Sequence, residues 1–484
     1  MKRLFIILVL AALAVASYGD VDPQQIQQKA AEDPAAAIAD CQAALAEDPG
    51  SINARKWLAY LCYNTGKYQE ALDAASVESP TDPTLPNYAG LSCVALGRYQ
   101  DAVRYFDTAI ILDKDWYEPY NNKGIAYDAL GNYPAAKNAF LSAYNLQAKE
   151  ADMAKKSVEV YINYARSLAN LQDYKGALKI YGYAEKLSPD NPEIMYHKAD
   201  TMFRQGDYAG SIDAYKKINA KKADDPRALK GIANCYLMQN KTAEALGYYD
   251  KALAAAPDYE SSFNAGLACR KAGQFGNAVK YFTTAIQLKA DDVDALNELG
   301  WAEFKSGSND NAIAHIKAAL DLKPDYMPAM LNMASLYSGL NDGENAYAAW
   351  SLIVMREPAN AAYRINLGNE CHNTGRYTEA VEQFQEAIRL DPKVKGAYYG
   401  LGTSCIALAV NNNNNTASLN RALEAFAKAL ELDPDNSNIY ANQAVAYQYL
   451  GKYPEAIAAN EKALKLNPSN AVAAKNLENL KKTN

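Results

Sequence analysis

The chain has 484 residues with 56 acidic and 49 basic side chains, a formal net charge of −7, and only three histidines and seven cysteines. An acidic chain is a poor general ligand for nucleic acid or anionic lipid, so we expect neither as a partner. His197, His315 and His372 lack the spacing of metal ligands, and the sequence has no phosphate-binding loop or nucleophile motif. We therefore expect no cofactor, no metal and no enzymatic activity.

Residues 1–19 predict a secretory signal. Two basic residues precede an apolar stretch, residues 4–16, that is too short to span a bilayer comfortably, and small residues follow it. We expect an exported chain that begins at Ser17 or Asp20 and is periplasmic, at the cell surface or extracellular. The alternative is an uncleaved anchor. No segment of the mature chain is apolar enough to predict a membrane span.

Residues 20–51 are rich in alanine and predict a degenerate helical repeat that caps the N-terminal end of an array. Beyond them, a glycine followed two residues later by an aromatic residue, and five residues later by a small one, recurs along the chain. These glycines are Gly66, Gly97, Gly131, Gly206, Gly273, Gly375 and Gly451. The pattern returns mostly at about 34 residues, which indicates a repeat protein.

Each repeat predicts two helices in close contact. A small residue often lies seven positions before the turn glycine and a larger one nine positions after it, as Gly124 and Phe140 do around Gly131. The small residue lets the helices approach each other, and the large one fills the angle between them. Many repeats end in Leu-Asp-Pro or a variant, where proline ends the second helix.

This period and pattern resemble the tetratricopeptide repeat, a helix-turn-helix unit. The resemblance implies an all-α fold, a right-handed superhelical solenoid of about twelve such repeats over residues 52–470. Residues 471–484 predict a C-terminal capping helix with Val472, Leu477 and Leu480 on its apolar side. The repeats begin near Ile52, Pro83, Tyr117, Val158, Pro192, Pro226, Tyr259, Val293, Met327, Ala361, Lys395 and Ser437.

Three repeats depart from the pattern at the turn, where Gln172, Asn240 and Asn341 stand in place of glycine. Insertions predict two further departures. Seven extra residues are close to two helical turns, so residues 147–156 predict a longer second helix. The asparagine run 411–415 predicts an exposed loop, because asparagine cannot build a core.

The cysteines predict buried thiols rather than disulfides. Five of them occupy one place in the repeat, which faces the core: Cys62, Cys93, Cys269, Cys371 and Cys405. Equivalent residues of neighbouring repeats lie about 10 Å apart, beyond the reach of a disulfide. The best candidate for an exception is Cys41 with Cys62, on adjacent helices of the N-terminal cap.

In the family that the chain resembles, the first helices line a concave groove that binds extended peptides or helices. An asparagine recurs nine residues before the turn, at Asn122, Asn163, Asn264, Asn332, Asn366 and Asn442. Its amide can offer a donor and an acceptor to a peptide backbone. The ladder is similar to the repeat region of O-linked N-acetylglucosamine transferase, although asparagine is also common here in tetratricopeptide repeats of other kinds.

Aromatic residues at groove-facing positions predict where a partner is anchored. They are Tyr196, Phe203, Phe263, Trp301 and Phe304, and they cluster in the middle of the array. A buried aromatic anchor costs about 2 kcal/mol or more to remove, whereas one backbone hydrogen bond contributes about 0.5 to 1.5 kcal/mol. Trp301 is therefore the predicted hot spot, in a groove between Pro192 and Lys305, and Trp350 is predicted to lie in the core.

Lys230, Asn234 and Asn264 stand where the two-carboxylate clamp of co-chaperones has lysine, asparagine and asparagine. Asp294 and Glu298 occupy the places of the remaining basic residues of that clamp and would repel a carboxylate. We therefore expect no such clamp, although Lys230 and Asn234 stay candidates for the groove.

From the sequence we expect an exported scaffold that binds a protein or peptide in its concave groove. One alternative is a structural or assembly subunit of an envelope complex that docks through its convex face or its caps. Another is an enzyme or glycan-binding protein with a site of unfamiliar type. A mutation should weaken binding only if it lies on the surface that the partner uses, whether this is the groove, the convex face or a cap. Binding measurements on variants of each surface therefore separate these alternatives.

Overall fold

A computed structural model describes residues 21–77, 81–411 and 415–483, and within these ranges the regular structure is entirely helical. Contacts divide the chain into two compact units, the first ending at Ala255 and the second beginning at Ala256. Helices pair through short turns in both units, as the repeat pattern predicts. The all-α solenoid of helix-turn-helix repeats is thus confirmed within each unit, and the signal at residues 1–19 lies outside the described residues.

Over residues 21–77 and 81–255, the first unit contains fourteen α-helices and one 3-10 turn, Met153–Lys155. The α-helices are α1 (Pro23–Glu32), α2 (Pro34–Glu47), α3 (Ile52–Asn64), α4 (Tyr68–Ala75), α5 (Thr84–Ala95), α6 (Tyr99–Leu112), α7 (Tyr117–Ala129), α8 (Tyr133–Lys149), α9 (Val158–Asn170), α10 (Tyr174–Leu187), α11 (Pro192–Gln205), α12 (Tyr208–Lys221), α13 (Pro226–Met238) and α14 (Thr242–Ala255). Odd-numbered helices are the first helices of the pairs, and from α1 to α13 each contacts the next odd-numbered helix of this unit. Their shared surface is called the first-helix face below.

The second unit continues the same alternation. Its helices are α15 (Tyr259–Lys271), α16 (Phe275–Leu288), α17 (Val293–Ser306), α18 (Asn309–Leu322), α19 (Met327–Gly339), α20 (Gly343–Arg356), α21 (Ala361–Asn373), α22 (Tyr377–Leu390), α23 (Lys395–Asn411), α24 (Thr416–Leu432), α25 (Ser437–Tyr449), α26 (Tyr453–Leu466) and α27 (Ala471–Thr483). All predicted repeat starts coincide with the start of a first helix, except that α5 begins one residue later, at Thr84.

The turns between paired helices require a left-handed backbone. All seven glycines of the repeat pattern have positive φ, and so do Gln172, Asn240 and Asn341, which confirms their predicted place in the turn. Gly307, with φ of 91°, forms a further turn that the pattern missed, because Asn309 stands where the aromatic residue is expected. Glycine adopts this conformation without the steric cost that a Cβ brings.

The predicted pairing of a small and an aromatic residue holds the two helices together. A Cβ added to Gly124 would lie 2.5 Å from the Phe140 ring, and Gly90 and Phe106 repeat the same contact at 2.5 Å. Both phenylalanine side chains are fully buried. The ring therefore fills the space that the missing Cβ leaves, as close packing requires.

The insertion extends α8 only in part, because residues 147–149 continue the helix as predicted and residues 150–156 do not: α8 has 17 residues, against 14 in α6 and α10. α8 ends at Lys149, and the 3-10 turn Met153–Lys155 follows. The Asp152 carboxylate accepts the Ala154 N–H and caps this turn, while the Gln147 side chain accepts the Ser157 N–H at 2.6 Å. Local capping bonds therefore replace the helical ones. At the asparagine run, α23 extends to Asn411 and the Asn415 side chain caps α24, whereas residues 412–414 lie outside the described residues.

The helix α27 presents a different apolar side from the one predicted. Ala473 and Leu480 are buried and Leu477 is half-buried, but Val472 is 52% exposed. Residues three and four apart share a helix face, so the buried face runs through Ala473, Leu477 and Leu480 and leaves Val472 outside it. The interpretation of residues 20–51 and 471–484 as caps stays a prediction.

All seven cysteines are buried free thiols, so the predicted core position is confirmed and Cys41 and Cys62 are also unbridged. Burial raises the pKa of Cys41 to about 12 and that of Cys405 to about 11. Trp350 lies in the core as predicted, and its indole N–H donates to the Ser338 hydroxyl at 3.2 Å. No helix among the described residues is long and apolar enough to cross a bilayer.

Candidate functional site

A cavity of about 410 Å³ opens on the first-helix face of the first unit. Three consecutive first helices, α9, α11 and α13, contribute most of its lining, and Tyr181 and Tyr215 reach it from the second helices α10 and α12. The lining residues with polar or aromatic side chains are Arg166, Asn170, Tyr181, His197, Asp200, Thr201, Phe203, Arg204, Tyr215 and Asn234. The cavity is therefore a product of stacking three repeats.

The wall beside α10 is aromatic and uncharged. The Tyr181 ring is buried and stacks on His197, with ring centroids 5.9 Å apart and planes at 11°. Burial lowers the pKa of the His197 imidazole, so the ring is neutral at neutral pH. The Thr201 hydroxyl donates to the His197 backbone carbonyl at 2.6 Å, which holds its own side chain in place.

The one acidic side chain in the lining is compensated. The Tyr215 hydroxyl donates to the Asp200 carboxylate, and burial raises the pKa of that hydroxyl. The Arg227 guanidinium lies 3.6 Å from Asp200 and 3.5 Å from Glu193. Asp200 thus contributes little free negative charge to the cavity.

The basic side chains are less well paired. The Arg204 guanidinium donates to the Asn170 side-chain oxygen at 3.2 Å and lies 5.8 Å from the Tyr174 ring, but it forms no ion pair in the part of the chain that the structure describes. Arg166 lies 3.5 Å from Asp128, at the outer limit of a hydrogen bond. The cavity is therefore lined by two guanidinium groups, one of which has no counter-charge.

Two residues predicted for the groove line this cavity. Phe203 is half-buried and packs edge-on against Tyr208, with ring centroids 5.6 Å apart. The Tyr249 hydroxyl donates to the Asn234 side-chain oxygen, so the Asn234 amide N–H groups have no acceptor among the described residues. They can donate to the carbonyl groups of a bound chain.

Tyr196 and Lys230 take other places on the same helices. Tyr196 is buried, its hydroxyl donates to Asp225 at 2.6 Å, and the Arg227 guanidinium covers its ring at 3.9 Å. A partner would have to displace Arg227 to contact the face of that ring. Lys230 is half-buried on α13.

The asparagine ladder is used largely inside the protein. Within the units, four of these side chains donate from Nδ2 to a side chain that lies one position earlier in the preceding repeat. The pairs are Asn122 with Asn87 at 3.1 Å, Asn163 with Asn121 at 3.0 Å, Asn332 with Asn297 at 2.9 Å, and Asn442 with the Tyr399 hydroxyl at 2.9 Å. Each bond joins the first helices of neighbouring repeats. One of the two N–H donors of each amide is thereby occupied, and Asn442 also donates to the Asn438 backbone carbonyl at 3.0 Å.

Two asparagines of the ladder differ. Asn366 makes no side-chain hydrogen bond among the described residues, because Leu331 stands where the preceding repeat would supply the acceptor. Asn264 is half-buried on α15 and likewise makes none there. These two amides therefore keep both their donor and their acceptor, as the sequence-based proposal for peptide binding requires.

The second unit carries an aromatic cluster on α17. The Trp301 and Phe304 rings lie 5.6 Å apart, and the Lys305 ammonium lies 4.5 Å from the Trp301 ring centroid and 5.1 Å from that of Phe304. Phe263 stacks on Tyr259 at 5.6 Å and contacts Phe282 at 5.7 Å. All three predicted aromatic residues are half-buried.

Sequence reasoning missed Arg166 and Arg204, although a signal was present. Arg166, Asp200 and Asn234 occupy the same place in three consecutive repeats, and Asn170 and Arg204 share another. Aligning the repeats by position would have placed all five on one surface. Among the described residues, no cluster of histidine, cysteine or acidic side chains is arranged to hold a metal ion.

Several models of the tetratricopeptide repeat match the sequence over more than half its length. The matched ranges are residues 29–92, 89–152, 168–235, 202–268, 263–326, 368–404 and 437–470. A comparison with curated protein sequences found no match.

Solved structures of similar fold include yeast Tom70, which is 16% identical with a TM-score of 0.33 and covers 89% of this chain and 95% of its own. A tetratricopeptide repeat protein from Parabacteroides merdae is 19% identical with a TM-score of 0.38, over 51% of this chain and 96% of its own. YrrB, described as having an unusual peptide-binding site, is 21% identical with a TM-score of 0.34, over 40% and 96%. Similarity at this level concerns the fold alone.

Proposed function

Since the chain belongs to the tetratricopeptide repeat family, we propose that it is a non-enzymatic scaffold that binds another polypeptide, with an extended segment lying across the cavity of the first unit. The observation that carries the proposal is the cavity itself, which α9, α11 and α13 form together on the first-helix face. A cleft with a few convergent polar groups is where ligands usually bind.

The side chains around the cavity favour a partner with a carboxylate. Arg204 has no acidic partner among the described residues, and its planar guanidinium can donate two hydrogen bonds to one carboxylate group. Asn234 would donate to a backbone carbonyl, and the exposed edge of Phe203 would contact an apolar side chain. The partner is thus proposed to place an aspartate or glutamate beside Arg204.

The proposal predicts the effect of Arg204→Gln. Peptides of twelve residues, selected from a random library on the full chain, would serve as probes. We expect Arg204→Gln to weaken binding of an acidic probe about fivefold, since an exposed ion pair contributes up to about 1 kcal/mol and a tenfold change corresponds to about 1.4 kcal/mol. Isothermal titration calorimetry would measure the dissociation constants.

Arg104→Gln is the matched control, because Arg104 lies on the second helix α6, pairs with Asp101 and is highly exposed. It should leave the dissociation constant unchanged. Replacing the acidic residue of the probe by its amide should weaken binding to the wild type but not to Arg204→Gln. Equal losses of affinity in the wild type and in Arg204→Gln would argue against contact with Arg204. A loss of binding confined to variants of the second helices or the caps would favour a structural or assembly subunit.

Export is proposed on the character of residues 1–19 alone. Protein recovered outside the cytoplasm is expected to begin at Ser17 or Asp20, as read by mass spectrometry of its N-terminal peptide. Recovery with Met1 intact would favour the uncleaved anchor. Recovery only from the cytoplasm would contradict export.

A further inference from the structure

A second group of side chains on the first-helix face of the first unit takes no part in the proposed contact with Arg204. Tyr60 and Tyr63 lie on α3, and Tyr88 lies on α5. The Tyr88 ring is 6.1 Å from that of Tyr60 at an interplanar angle of 76°, and 6.3 Å from that of Tyr63 at 56°. All three are half-buried, and none of their hydroxyl groups makes a hydrogen bond within the described residues.

Glu118 lies near the start of α7, one helical turn before Asn122, whose amide donates to Asn87, the residue next to Tyr88, at 3.1 Å. Its charge also contributes to raising the pKa of Tyr88, after burial and the other two tyrosines. Its Oε2 atom is buried and accepts no hydrogen bond. The three rings and the carboxylate come from three consecutive first helices, as the residues of the larger cavity do.

The surroundings of Glu118 lack a positive charge. Burial is the main reason that the pKa of its carboxyl rises to about 7, and the charge of Asp113, between α6 and α7, raises it further. The Glu118 backbone and the Tyr117 hydroxyl lower it in part. The titratable group of α5 that faces Glu118 is Tyr88. The corresponding group of α9 is Glu159, whose charge contributes to raising the pKa of Tyr117. No lysine or arginine of the described residues is among these groups.

An arrangement of this kind is suited to a cation. Aromatic ring faces attract ammonium and guanidinium groups, and recognition of such ligands by several rings is a known use of that attraction. A desolvated carboxylate without a counter-charge is costly to keep ionised, and a cation beside it removes much of that cost. The cation has more N–H groups than the carboxylate can accept, and the tyrosine hydroxyl groups can accept hydrogen bonds from the others.

We propose that Tyr60, Tyr63, Tyr88 and Glu118 form a binding site for a lysine or arginine side chain of an extended peptide. The inference rests on the proposed function only in taking a peptide as the source of the cation. Together with Arg204, the site would give the first-helix face one contact for a basic residue and one for an acidic residue.

The probe is the blocked tripeptide acetyl-Ala-Arg-Ala-amide, compared with the same peptide carrying citrulline, which keeps the shape of arginine but has no charge. The chain has four tryptophans, and Trp57 packs edge-on against Tyr60 at 5.7 Å with a buried indole N–H. The indole resonance of Trp57, labelled with nitrogen-15 in the full chain, therefore reports on the site. At pH 8 we expect a saturable shift and binding at least fivefold tighter for arginine than for citrulline.

Glu118→Gln is expected to abolish this preference. Because Glu118 ionises near pH 7, arginine should bind the wild type more tightly as the pH rises from 5 to 8, and the variant should lose that dependence. Glu382→Gln is the control, since it makes the same change at an exposed residue on α22 of the second unit. It should keep both the preference and the pH dependence.

A purely structural role for Glu118 has a different signature. A carboxyl whose pKa is raised by folding favours the folded state below its unfolded value, near 4.5, and this stability is lost as the pH rises through about 7. The urea midpoint of Glu118→Gln should therefore exceed that of the wild type at pH 8 and match it at pH 4. This shift alone, with equal binding of arginine and citrulline, would overturn the proposal.

The result is independent of the contact with Arg204. The tripeptide has no acidic side chain and is read out at Trp57, whereas the proposed function is tested with acidic probes and Arg204→Gln. Binding of arginine with no effect of Arg204→Gln on acidic probes would keep this site and reject the cavity. The reverse outcome would reject this site and keep the cavity.

Discussion

Phe140→Ala is expected to lower the free energy of unfolding of the first unit by about 3 to 5 kcal/mol. The Phe140 side chain is fully buried between the helices of its repeat and contacts Gly124 where a Cβ is missing. Its removal exposes no polar group but leaves a cavity that the rigid helix pair cannot fill. Urea-induced unfolding of the full chain, followed by circular dichroism, would measure the loss.

Tyr183→Ala provides the comparison, because Tyr183 lies on the second helix α10 and is 37% exposed. It should cost less than about 1 kcal/mol, as exposed substitutions usually do. Gly124→Ala is expected to be destabilising despite the helix propensity of alanine, since the new Cβ would lie 2.5 Å from the ring. A stabilising Gly124→Ala would show that the close contact of the two helices is not required.

Trp301→Ala is expected to weaken binding of any partner that uses the second unit by at least tenfold. Trp301 and Phe304 form a half-buried aromatic surface. Removing an aromatic anchor that is desolvated in a complex typically costs about 2 kcal/mol or more of binding free energy. A loss of about 1.4 kcal/mol already corresponds to a tenfold weaker dissociation constant. Peptides selected from a random library on the full chain, and titrated against each variant, would measure the effect.

Asn264→Ala should weaken binding less than Trp301→Ala, because one hydrogen bond to a peptide backbone contributes about 0.5 to 1.5 kcal/mol. Lys482→Ala should change nothing, since Lys482 is exposed on α27 and pairs with Glu478 of the same helix. An unchanged dissociation constant for a folded Trp301→Ala would leave this face of the second unit without a role. A partner that docks on the second helices or the caps would then be favoured.

The local features of the repeat could be predicted from the sequence because each depends on residues of a single helix pair. Glycine or asparagine at the turn, a small residue opposite an aromatic one, and a cysteine facing the core are decided within about 34 residues. Their spacing therefore specified the helix starts to within one residue. The predicted extension of α8 was correct only as far as Lys149, because the capping bonds of Gln147 and Asp152 form beyond that point.

The candidate sites depended on contacts between repeats, which the spacing does not specify. The sequence placed Asn122, Asn163 and Asn332 on the first-helix face, but only the structure shows that their amides bind the neighbouring repeat. Tyr196 is likewise covered by Arg227 from the next repeat. A side chain on the predicted face is open to a ligand only if the neighbouring repeat leaves it unpaired.

The sequence by itself determined the all-α repeat architecture and its register, because hydrophobic periodicity and turn chemistry act locally and recur many times. Only the tertiary structure decided which charges are left without partners. Arg204 has no ion pair among the described residues, because its neighbour in the preceding repeat is the neutral Asn170, which accepts its hydrogen bond. Glu118 is left beside tyrosines rather than a cation. Both facts depend on distance and burial across stacked helices, since Coulomb interactions and desolvation are set by three-dimensional surroundings.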